Sequence, residues 1–197
     1  MSSVRLSFQA TLTGVVFVAG VGTLATEIAA SRLLAPYFGN STIVWANVIG
    51  LTLASLSVGY WLGGRLADRY PTPRALGLIV AAAACLVAVA TLLARPILDF
   101  SVEGLDRVSA GAAIGSFFGV LILFVPPVTL MGMVAPFAIR LAIQDVESVG
   151  TVAGRLYAVS TVGSLLGTFI AALVAIPAIG TQRTLLAAAA LIGTSGA

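Results

Sequence analysis

The sequence has no histidine, no lysine and one cysteine, and only 9% of its 197 residues are charged. Without histidine there is no imidazole base and no histidine-ligated metal site. Without lysine there is no Schiff-base nucleophile and no phosphate-loop lysine. The lone Cys85 stands in an Ala/Val run, where it permits no intrachain disulfide or cysteine cluster and reads as a small apolar residue. A soluble domain carries about 25% charged residues, so a water-soluble globular enzyme is excluded. No catalytic constellation, cofactor or metal is expected.

What the chain has instead is apolar surface: 59% of residues are hydrophobic and the mean hydropathy is +1.11. A membrane helix needs roughly 20 apolar residues, so a single integral membrane domain of about six crossings over 1–197 is expected. All ten cations are arginine, and the formal net charge is +3. They stand at the ends of apolar runs rather than on one face, as topology signals do. The lipid bilayer is therefore the expected partner, and nucleic acid is not.

The apolar segments read as helices at 8–34, 43–67, 75–94, 108–143, 154–176 and 183–197. The first is too long for a signal peptide and is expected to stay as an anchor. Arg95-Pro96 should end the third, because proline disfavours helix at the residue before it; 97–107 then forms a polar connection. Pro177 and Gly180 should stop the fifth. The last, at about 22 Å if helical, is shorter than a bilayer core of about 30 Å. The fourth contains Pro126-Pro127 and is read as one kinked crossing. That choice puts Arg5, Arg65, Arg69, Arg74, Arg140 and Arg155 on one side, against Arg32, Arg95, Arg107 and Arg183. The positive-inside rule then makes the N-terminus cytoplasmic, in the cell membrane.

Two stretches carry resemblances. Gly63-Gly64-Arg65-Leu66-Ala67-Asp68-Arg69, with Arg74 behind it, resembles the loop between the second and third helices of the major facilitator superfamily. The resemblance implies half of such a fold, two three-helix repeats, with Gly64, Asp68, Arg69 and Arg74 as a conformational latch; the plain alternative is a charged helix cap. A wider set of segments is similar to the membrane half of fused spermidine-synthase-like proteins: 26–41, 59–69, 130–140, and Gly154-Arg155-Leu156-Tyr157 onward to Thr168. In that family a membrane half precedes an aminopropyltransferase-like domain. Its glycine-rich cofactor loop and acidic amine-binding residues have no counterpart here, so the synthase activity does not carry over.

Glu27 is the candidate site residue, since a carboxylate deep in an apolar helix normally faces a partner or a wet cavity. It reads as a cation or proton site with Arg32, Tyr37 and Asn47 nearby, or as a structural ion pair with Arg32. Arg140, Arg155 and Tyr157 are candidates to face an anionic headgroup or a partner, or else are simple anchors. Small-residue stripes that include Gly59 and Gly63, and Gly163 and Gly167, allow close helix approach, within the chain or against a partner chain. The expected function is an integral membrane subunit or scaffold that docks another membrane chain or a cytoplasmic partner. The alternative is a half-size transporter of a small, cationic, polyamine-like solute, working as a homodimer.

Overall fold

The computed structural model describes residues 2–105, 111–143 and 148–196, and these form helices with no strand among them. The helices are α1 (Ser2–Phe38), α2 (Thr42–Arg69), α3 (Pro73–Leu105), α4 (Gly111–Leu123), α5 (Val125–Ala142), α6 (Val149–Phe169), α7 (Ile176–Ile179) and α8 (Thr181–Ser195). A π-helical segment, Ile170–Ala175, joins α6 to α7. Five stretches are long and apolar enough to cross a membrane. The protein is an all-α, multi-pass membrane bundle.

Local chemistry sets the ends. Gly39, at φ 74°, closes α1, a left-handed position that glycine adopts without strain. Ser41 then caps α2 by accepting the Val44 N–H. Thr72 accepts the Ala75 N–H at the start of α3, where Pro73 loses nothing, because a first-turn N–H has no helical partner. Gly180, at φ 83°, separates α7 from α8.

Two expected helix stops are overturned. Pro96 lies inside α3, which continues to Leu105, so the first part of the expected polar connection is helix; Asp106 and Arg107 lie outside the described residues. Helix likewise runs through Pro177 to Ile179. A proline inside a helix gives up its own N–H bond, and the helix on both sides keeps the rest of the ladder. At Pro177 the π segment just before it widens the helix, which relieves the proline ring's clash with the preceding turn. Pro36 is similarly held in the last turn of α1.

The directions of the rods follow from residues that meet. Asn47 of α2 bonds to Ala113 and Ser116 of α4, Gly59 abuts Gly132 of α5, and Asp68 pairs with Arg140. So α4 and α5 run alongside α2 as one bent rod. Hydrogen bonds from Phe124 N to Val120 O and from Val128 N to Phe124 O carry the ladder across the bend beside Pro126-Pro127. Gly163 and Gly167 of α6 meet Phe17 and Val21, which makes α6 parallel to α1. Gly196 and Gly193 meet Gly77 and Ala84, so α8 runs against α3. Six rods result, alternating in direction along the chain.

They form two three-rod units of opposite orientation. The first is α1, α2, α3; the second is α4–α5, α6–α7, α8. Each unit's middle rod packs most extensively on the other unit's first rod: α2 on α5, and α6 on α1. The third rods, α3 and α8, pack on each other. The glycines repeat the relationship. Gly59 and Gly63 leave no room for a Cβ against Thr129–Met133, and Gly163 and Gly167 leave none against Phe17–Val21. The sequences match as well: Ser57-Val58-Gly59-Tyr60-Trp61-Leu62-Gly63 against Thr161-Val162-Gly163-Ser164-Leu165-Leu166-Gly167. These four glycines therefore serve packing inside the chain. Their reading as partner-facing residues is corrected, because a facing backbone of the same chain already fills the space beside each. Gly64, by contrast, has open space where a Cβ would stand.

Candidate functional site

Glu27 lies in the apolar run of α1, half-buried, and makes no hydrogen bond or ion pair with any described residue. It follows Val16, Gly20 and Thr23 on one face of α1, since side chains three or four residues apart stack along a helix. Those three residues line a narrow crevice of about 90 Å³ between α1, α2, α5 and α6. Leu56 and Tyr60 of α2, Met131, Gly132, Val134 and Ala135 of α5, and Ser160 and Ser164 of α6 complete it. Thr23 donates to Ala19 O and approaches Met131 Sδ; Ser164 donates to Gly20 O. Tyr60 and Tyr157 are each about half exposed. The crevice is smaller than the ~300–1,000 Å³ of small-molecule pockets.

The other residues grouped with Glu27 from the sequence are elsewhere. Asn47 donates its amide to Ala113 O (2.9 Å) and Ser116 Oγ (2.8 Å), a helix-to-helix tie. Arg32 does not pair with Glu27. Arg32 and Tyr37 line a different cavity, of about 410 Å³, at the end of the bundle where α1 meets α3 and α8. The single site expected from Glu27, Arg32, Tyr37 and Asn47 thus resolves into three places. Five residues of helix turn Arg32 away from Glu27, and Asn47 stands on the opposite side of the α1–α2 turn.

At the far end, Arg140 Nε donates to Asp68 Oδ1 at 2.9 Å, an exposed ion pair joining α2 to α5. Asp68 is thereby tied within the chain, and Arg140 is occupied by it. Arg65 lies over the Trp61 ring at 3.9 Å and Arg69 over Tyr70 at 5.5 Å, cation–π contacts on the same end. Arg74 and Arg155 are exposed there and form no ion pair with a described residue. Thr26, next to Glu27, is fully buried, and its hydroxyl has no hydrogen-bond partner among the described residues.

No family model matches the chain, and comparison with curated proteins and with solved structures finds no match.

Proposed function

We propose that the chain is an integral membrane subunit whose crevice face, formed by α1, α2, α5 and α6, is covered by a second membrane protein. Glu27 carries this reading. A charged side chain at this depth costs on the order of 3 kcal/mol on insertion scales, and no described residue compensates it. A partner that brings a cation or hydrogen-bond donors to Glu27 removes that cost. Tyr60 and Tyr157 support the reading, since half-exposed tyrosines with an apolar body and a polar tip suit an assembly surface. The resemblance to membrane halves of spermidine-synthase-like proteins fits a scaffold that works with other chains. The arginine-rich Asp68 end is then cytoplasmic, with the N-terminus on the same side, in the cell membrane.

A different chain suits the face better than a second copy. A two-fold contact centred here would bring Glu27 near Glu27 of the other copy, and like charges at close range disfavour each other. The pair would hold only by sharing a proton or a cation. That arrangement is the second reading, a dimeric half-size transporter of major-facilitator type, and the hydroxyls of Thr23, Tyr60, Ser160 and Ser164 lining the crevice favour it. Neither reading assigns a covalent reaction to the chain.

Native mass spectrometry in mild detergent tests the proposal. The subunit reading expects a complex with a different membrane chain, released by Glu27→Ala. A homodimer held by Glu27 would favour the transporter reading, and a monomer alone would sink both.

A further inference from the structure

The cavity at the Arg32 end gathers three arginines from three helices: Arg32 of α1, Arg95 of α3 and Arg183 of α8. None forms an ion pair with a described carboxylate. In the proposed orientation these are arginines that the positive-inside rule does not explain, because they stand on the side that should be poor in them. They come from positions far apart in the sequence and still converge on one space of about 410 Å³. Uncompensated like charges repel, so such a gathering calls for an anion to sit among them.

We propose that this cavity binds a phosphate oxyanion, either the headgroup of an anionic lipid or a soluble phosphate-bearing solute. Guanidinium groups present planar forks of donors that match phosphate oxygens two at a time. Thr181 and Gln182 line the same space and add polar side chains. They open α8, whose first turn has no side-chain cap, so its N–H groups and helix dipole favour the same ligand. The nearby acid among the described side chains is Asp99, one turn beyond Arg95 and near Tyr37. Among the described side chains the three arginines outnumber that carboxylate.

The volume falls within the ~300–1,000 Å³ of small-molecule pockets, which suits a substituted phosphate better than a bare ion. On the next face of α3, an apolar groove of about 750 Å³ lies between Leu93, Pro96 and Phe100 and the α4 residues Phe118 and Ile122. A groove of that character suits an acyl chain and favours the lipid as the source of the phosphate.

The test uses the full chain in phosphatidylcholine nanodiscs doped with phosphatidylglycerol. Retained phosphatidylglycerol is counted by native mass spectrometry, and inorganic phosphate is titrated separately against thermal stability at constant ionic strength. Wild type and Arg155→Gln, an exposed arginine at the other end, should retain phosphatidylglycerol, with Arg32→Gln/Arg183→Gln ~10-fold or more weaker. That result identifies a lipid headgroup site. Phosphate stabilising wild type but not the double variant, without preference for phosphatidylglycerol, identifies a soluble ligand of the same chemistry. Equal behaviour of wild type and the double variant towards both probes overturns the proposal, as does an equal loss in Arg155→Gln. Should the double variant misfold, Arg183→Gln alone provides the same comparison.

Discussion

Asp68 and Arg140 stand 72 positions apart in the chain and meet at 2.9 Å, fastening the end of α2 to the end of α5. Their side chains are 73% and 47% exposed, respectively. An exposed pair of this kind contributes about 0–1 kcal/mol. A double-mutant cycle of Asp68→Asn and Arg140→Gln, read by thermal or denaturant unfolding in detergent, should return a coupling within that range. A much larger coupling would show that the pair holds the fold rather than trimming it.

The glycines make a sharper contrast. At Gly59 and Gly163 a methyl group would overlap backbone atoms of the facing helix, whereas Gly64 faces open space. Overpacking costs about 1–3 kcal/mol, and alanine gains roughly 0.5–1 kcal/mol over glycine within a helix. Gly59→Ala and Gly163→Ala should each lower the melting temperature, while Gly64→Ala should hold or raise it. If all three variants behaved alike, the close contacts of α2 with α5 and of α1 with α6 would be in error.

Thr26 offers a gain of stability. Its hydroxyl is fully buried and unpartnered among the described residues, and a buried unsatisfied group costs about 1–3 kcal/mol. Valine has nearly the same shape without that group. Thr26→Val is expected to unfold at higher temperature than wild type, and a clear loss would mean that the hydroxyl has a partner.

The helical class and the six rods were legible in hydropathy alone, because an apolar run of span length has few other fates in lipid. The ends of the rods were less so. Pro96 and Pro177 read as stops, yet helix continues through both, because a proline removes one N–H bond and leaves the rest of the ladder in place. Of the candidate site residues, Glu27 stands out by itself as a carboxylate within an apolar run. Its grouping with Arg32, Tyr37 and Asn47 failed because proximity along a chain says little about which side of a helix a residue occupies. The sequence does carry a mark of the two units in the echo between Ser57–Gly63 and Thr161–Gly167, which makes the two middle rods equivalent.

Orientation is open to chemical labelling. With Cys85 replaced by alanine, single cysteines at Thr72 and Gln182 report on opposite ends of the bundle. A membrane-impermeant maleimide applied to intact cells should modify the cysteine at Gln182 and spare the one at Thr72. The reverse pattern would invert the proposed topology.

The covered crevice face is tested most directly by photo-cross-linking in living cells, comparing a cross-linker at Tyr60 with one at Leu92. Tyr60 borders the crevice below Glu27; Leu92, 70% exposed on α3, looks away from it. Covalent adduct with another membrane chain from position 60, lost when Glu27 is also replaced by alanine, with lipid alone captured from position 92, is the expected result. Lipid alone from both positions would contradict the account.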